Sequence, residues 1–204
     1  LAYFPNKKER SQIKVREGFL IVARFWFVLS FFGAIPFLMD ESLKFSFVEA
    51  IFESTSGWTT TGATVISNID GLNKPLLLYR QLLQWLGGIG IVVLVLAILP
   101  ILGVGGMYLY KAETSSPVKD NKLSPRITET AKSLWGVYII LTIACAVLYK
   151  IAGMSYFDAI GHSFSTVSIG GFSTHDASIG FYSSNLIKII CCLLYTSDAA
   201  DDVV

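Results

Sequence analysis

Gly57-Trp58-Thr59-Thr60-Thr61-Gly62-Ala63-Thr64 is a polar, hydroxyl-rich run set between stretches apolar enough to enter a bilayer. Irregular backbone at membrane depth survives only where protein buries it or where it lines a water-filled cavity. A similar run, Thr166-Val167-Ser168-Ile169-Gly170-Gly171-Phe172-Ser173, recurs at an offset of 109 residues. One such loop could be an accident of packing. Two in register point to a pore whose backbone carbonyls replace the water around an ion. The alternative, a pair of Thr/Gly-rich helix contacts of the kind common in membranes, accounts less well for two copies that each follow a half-length helix.

Composition agrees with a membrane setting. The 204 residues are 53% hydrophobic and 15% charged, with a mean hydropathy of +0.59, whereas soluble domains carry about 25% charged residues. No basic groove-facing helix is present, so no nucleic-acid partner is expected. Cys145, Cys191 and Cys192 form neither a disulfide framework nor a CxxC metal spacing and read as small hydrophobes.

Lys7, Lys8, Arg10, Lys14 and Arg16 precede a 21-residue apolar run, 19–39, long enough to span. By the positive-inside rule they place residues 1–18 in the cytoplasm, with Arg24 snorkelling toward that side. Residues 45–56 are too short to cross but carry Phe45, Val48, Ile51 and Phe52 at helical spacing. This reads as a pore helix whose carboxyl end, with its partial negative charge, favours a cation at the membrane centre. Asp70-Gly71 marks an outer turn. A second apolar stretch covers 76–110, with close-packing glycines at Gly87, Gly88 and Gly90 and a break expected at Pro100, Gly103, Gly105 and Gly106. The polar, basic segment 111–132 is again cytoplasmic, with a helix start at Ser124-Pro125. A span at 134–152, a pore helix at 156–165 and a span from 185 follow. From Cys192 the chain turns abruptly small and acidic, and 192–204 is expected to be a non-native tail.

Aligned without gaps at the 109-residue offset, Glu49 meets Asp158, Ala50 meets Ala159, Ser54 meets Ser163, Ser56 meets Ser165, Gly62 meets Gly171 and Thr64 meets Ser173. The basic segment before each unit is cytoplasmic, so the repeat is parallel, as suits units around an axis along the membrane normal. The fold class expected is therefore an all-α membrane protein of tandem span–pore helix–filter loop–span repeats, at 19–110 and, truncated, 133–191.

The stretches FESTSGWTTTGAT, LLLYRQLLQWLGGIGIVVLVLAILPILGVGGMYLYKAE, PVKDNKLSPRITETAKSLW and FSTVSIGGFSTHDASIG resemble the Trk/Ktr/HKT superfamily of potassium transporters, and within it the Trk-type membrane subunits. The resemblance covers about residues 12–191. It implies four span–pore helix–span units forming a pseudo-fourfold pore in a bacterial inner membrane, of which this chain is a fragment holding the first two. It also implies potassium uptake, a homodimer of the membrane subunit, and a cytosolic nucleotide-binding regulatory subunit. Potassium is the expected ion, with no organic cofactor.

Potassium must shed most of its hydration shell in a narrow pore, and carbonyls must replace it. Glycine permits the dihedrals this requires. Gly62 and Gly171 take that role, with carbonyls expected from Thr60 and Thr61 in the first loop and Ile169 and Gly170 in the second. Thr59, Thr64, Ser168, Phe172 and Ser173 support the loops. Neither loop matches the TVGYG strand of tetrameric potassium channels, so weaker discrimination against sodium is expected. Glu53 is expected to hydrogen-bond behind the filter, and Arg80 to anchor at the outer interface. Asp70 and Asp176 either concentrate cations at the outer mouth or are ordinary solvated acids. His162, His175 and Asp176 match no metal-ligand spacing, and an intramembrane enzyme built on them lacks a nucleophile–base pair. A secondary transporter with broken helices around a midplane site is the other reading, but that design often uses inverted repeats.

Overall fold

Ser46 and Ser155 start the two half-length helices in the same way. Ser46 accepts from the Glu49 amide while the Glu49 carboxylate accepts from the Ser46 amide, a complete capping box. Ser155 accepts from the Asp158 amide at 3.1 Å and donates to the Asp158 carboxylate at 2.7 Å. The computed structural model describes residues 15–102 and 123–199. Its helices are α1 Val15–Gly33, α2 Ile35–Met39, α3 Phe47–Trp58, α4 Lys74–Leu102, α5 Leu123–Ile151, α6 Tyr156–Val167 and α7 Asn185–Ala199. A short 3₁₀ helix, Ser178–Phe181, lies in the loop between α6 and α7. Among the described residues, every regular element is helical.

The first span is broken where the sequence suggested one run, 19–39. Pro36 has no N–H to give the Phe32 carbonyl and crowds it, so the helix restarts as α2. The Gly33 carbonyl at the break accepts from the Tyr79 hydroxyl at 2.9 Å, which ties the bend to α4. Helix α4 runs unbroken through Pro100 to Leu102, a 29-residue rod about 44 Å long. Gly103, Gly105, Gly106, most of the 111–132 segment, residues 1–14 and residues 200–204 lie outside the described residues. Helix α5 begins at Leu123, so it takes in the last part of the segment assigned to the cytoplasmic loop. Helix α7 continues to Ala199, through residues assigned to the tail.

Each half has its own core. Ala34, Phe37, Ala50, Leu76 and Leu83 pack together in the first, and Cys145, Tyr149, Met154, Ala159, Ile187 and Ile190 in the second. Helix α4 joins them. A Cβ on Gly87 would strike the Trp58 backbone of α3, and a Cβ on Gly88 would sit 2.9 Å from the Ser168 side chain. The two adjacent glycines therefore let one helix press against the ends of both α3 and α6. Outward faces are apolar: Phe25, Phe27 and Phe32 on α1, and Ile140, Ile143, Val147 and Ile151 on α5, are exposed. Segments Leu20–Met39 and Glu129–Ile151 are long and apolar enough to cross a membrane, and such faces suit lipid.

Candidate functional site

Both half-length helices, α3 and α6, end in the same unusual cap. The Thr61 amide donates to the Ser56 carbonyl (2.9 Å) and the Thr60 amide to the Gly57 carbonyl (3.0 Å). In the second copy Gly170 donates to Ser165 (2.8 Å) and Ile169 to Thr166 (3.1 Å). This pair of bonds is the Schellman motif, which needs a left-handed residue after the cap and normally uses glycine. Here the residue is Thr60 at φ +54° and Ile169 at φ +56°. For a β-branched side chain that conformation is an outlier costing roughly 1–2 kcal/mol. Two residues on, Gly62 (φ +76°) and Gly171 (φ +84°) are left-handed again. Strain of this kind persists where surrounding structure enforces it, and it concentrates at functional sites. Replacing Ile169, whose side chain is exposed, by glycine is expected to stabilise the fold by about 1 kcal/mol, read as a raised melting temperature of the purified protein.

The twist releases the first loop from backbone pairing. Among the described residues the carbonyls of Thr60, Thr61, Gly62 and Ala63 accept no hydrogen bond. The second loop differs at Gly170, whose carbonyl accepts from Gln84 Nε2 at 2.6 Å. Gly170 occupies the position expected to match Thr61, and its carbonyl differs from that of Thr61 in being held by Gln84, which projects from α4 into that loop. The loops also touch: a Cβ on Gly62 would overlap the Gly170 carbonyl and lie 3.3 Å from the Gly171 Cα.

Side chains hold both loops from behind. Thr59 donates to the Thr55 carbonyl at 2.7 Å and pairs with the Thr61 hydroxyl at 2.8 Å. Ser168 caps the Ser165 carbonyl at 3.3 Å. The fully buried Glu53 carboxylate accepts from Thr64 Oγ1 (2.9 and 3.0 Å), the Val65 amide (3.1 Å) and Arg80 Nε (2.8 Å). At the offset position, His162 Nε2 lies 2.9 Å from Ser173 Oγ, so Glu53–Thr64 and His162–Ser173 are the same tie in different chemistry.

Arg80 is a correction to the sequence reading. It is fully buried rather than anchored at the interface, in an ion pair of 2.8 Å with Glu53. It also donates to Thr64 Oγ1 at 3.1 Å and reaches the Ser173 carbonyl at 3.5 Å, and its guanidinium lies 4.3 Å over the Phe172 ring. One cation thus fastens the first loop to the second. Its planar, five-donor head suits that work.

Asp70 and Asp176 join the α3–α4 loop to the α6–α7 loop. Asp70 accepts from His175 Nδ1 at 2.6 Å and from the Asp176 amide at 3.3 Å, while Asp176 accepts from the Ile69 amide at 2.8 Å. The His175 hydrogen bond holds the Asp70 carboxyl below the usual carboxylate range. His175 stacks on Phe181 at 3.7 Å, and Thr174 donates to Asp158 at 2.8 Å. Among the described residues no cluster of His, Cys, Asp and Glu could hold a metal ion.

Gln84 and the true position of Arg80 escaped the sequence reading. Both interrupt an apolar helix at positions i and i+4, with Gly88 one turn further, so they share a face. That polar stripe within a span was the available signal.

The family model for TrkH, described as a cation transport protein, matches residues 1–196. The Trk system potassium uptake protein TrkH of Halomonas elongata is 60% identical over 191 residues, covering 94% of this chain and 40% of that relative. Its Escherichia coli K12 counterpart is 58% identical over 193 residues, covering 95% and 40%. The crystal structure of the potassium transporter TrkH from Vibrio parahaemolyticus superposes with a TM-score of 0.77 at 52% identity, covering 94% of this chain and 37% of that one. The chain thus spans about two fifths of the length of these relatives. It belongs to the TrkH family of cation transport proteins, which are membrane transporters and not enzymes.

Proposed function

We propose that this chain supplies two adjoining quarters of a potassium uptake pore, with the two loops as half of its selectivity filter. The observation that carries this reading is the in-register repetition of left-handed residues, Thr60/Gly62 and Ile169/Gly171, at the carboxyl ends of two half-length helices. A dehydrated cation needs carbonyl oxygens and a negative field, and each loop offers both. The ligands are the carbonyls of Thr60, Thr61 and Gly62 and of Ile169, Gly170 and Gly171. The Gly170 oxygen keeps one lone pair for the ion while Gln84 holds the other. The relatives are named as potassium uptake proteins, which favours potassium as the cargo.

Two further repeats close the ring, and the membrane subunit pairs as a homodimer with a cytosolic nucleotide-binding partner. The N-terminal segment and the 111–132 segment face the cytoplasm of a bacterial inner membrane, in keeping with their basic charge. The test is a chimera in which residues 1–191 replace the matching stretch of the Vibrio parahaemolyticus transporter. In cells lacking their own potassium uptake, the chimera should restore rubidium accumulation and growth at low potassium. A chimera that reaches the membrane and takes up neither ion would refute the proposal.

A further inference from the structure

We propose that Gln84 is a positioning residue through which the first repeat's own span sets ion selectivity at the second filter loop. The inference rests on the pore reading above. Gln84 is fully buried. Its Nε2 donates to the Gly170 carbonyl at 2.6 Å, and its Oε1 accepts from the Phe172 amide at 3.0 Å. Those two backbone groups flank Gly171, the left-handed residue at φ +84°. The side chain therefore grips the loop on both sides of its least constrained residue.

The grip is chemically specific. A primary amide carries a donor and an acceptor on one planar head, as a peptide group does. The reverse orientation would set oxygen against the Gly170 oxygen and nitrogen against the Phe172 amide, so the partners fix the assignment. Helix and loop are fitted to each other: a Cβ on Gly170 would overlap the Gln84 amide, and a Cβ on Gly88, one turn along α4, would lie 2.9 Å from Ser168 Cβ at the start of the loop. Among the described residues, no side chain bridges the matching Thr61 carbonyl and Ala63 amide, and the first loop is held further out, through Glu53 at Thr64 and Val65.

A pinned carbonyl cannot move inward to meet a smaller ion. Releasing the Gly170–Phe172 backbone lets the second loop contract around sodium, so the clamp discriminates by holding the cavity at potassium size. Loss of Gln84 should therefore raise sodium acceptance ahead of any loss of fold.

The experiment uses the full-length chimera and measures rubidium uptake against sodium competition, with membrane abundance read in parallel. Gln84→Met keeps the length and removes both hydrogen bonds; its potassium-over-sodium preference should fall about tenfold, as expected when a buried carbonyl and amide lose their partner. Gln84→Glu keeps the acceptor for Phe172 but sets a carboxylate oxygen against the Gly170 oxygen, so its preference should fall at least as far as that of Gln84→Met. Gly171→Ala serves as the control within the same loop. Wild-type preference in both Gln84 variants, with a shifted preference in Gly171→Ala, would overturn the Gln84 assignment and leave the pore standing. Unchanged preference in Gly171→Ala as well would overturn both. If neither Gln84 variant reaches the membrane, Gln84 is a folding residue and the selectivity role is refuted.

Discussion

Arg80→Met is expected to destabilise the assembled protein by about 3–5 kcal/mol, because it leaves the fully buried Glu53 carboxylate without its counter-ion. The Glu53 charge would retain the Thr64 hydroxyl and the Val65 amide as donors, which cannot replace a cation. The loss also removes the guanidinium from the Phe172 ring and from the Ser173 carbonyl. Both loops should therefore loosen together. Adding Glu53→Gln to Arg80→Met removes the orphaned charge and should recover much of the stability, as buried ion pairs tolerate joint neutralisation far better than loss of one partner. Thermal unfolding of the purified full-length chimera in detergent reads both variants. A single variant that melts with wild type would mean that Glu53 finds another counter-charge, and the account of Arg80 would fail.

Gly62→Ala should disable the filter. The added Cβ meets a left-handed backbone at φ +76°, which costs about 1–2 kcal/mol by itself. It also drives into the Gly170 carbonyl of the neighbouring loop, which Gln84 holds from behind and which cannot retreat. Rubidium uptake should fall by roughly tenfold or more, with a lowered preference over sodium, while membrane abundance changes little. Gly136→Ala is the matched control, since a Cβ there meets nothing within 4 Å. Equal uptake in the two variants would remove Gly62 from the conduction path.

What the sequence made readable was the repeat and its punctuation. The Thr/Gly runs announce the ends of two short helices at one offset, whereas the caps Ser46–Glu49 and Ser155–Asp158, at the same offset, went unread as helix starts. Helical periodicity and hydropathy give the spans because lipid imposes them. The break at Gly33–Ile35 was hidden, since Pro36 sits in an apolar run whose composition does not change across it. The left-handed Thr60 and Ile169 were hidden too. Local preference opposes that conformation, and only the tertiary cage enforces it.

Arg80 shows the limit from another side. A charge two turns from a span's outer end reads as an interfacial anchor, and its actual partners come from α3 and from both loops. Sequence distance conceals such contacts: Arg80 and Ser173 are far apart in the chain and adjacent in the fold. The pairing of Asp70 with His175 between the α3–α4 and α6–α7 loops was invisible for the same reason. Once the repeat offset is known, though, Glu53–Thr64 and His162–Ser173 align as equivalent ties, and the second could have been inferred from the first.

The central claim is that the carbonyls of residues 60–62 and 169–171 bind the transported ion. A crystal or electron-microscopy structure of the full-length chimera in thallium or rubidium tests it most directly. The account predicts heavy-ion density on the axis between the Thr60–Gly62 and Ile169–Gly171 backbones, lost on competition with potassium. Density confined to the Asp70–Asp176 outer mouth, with none between the two loops, would contradict it.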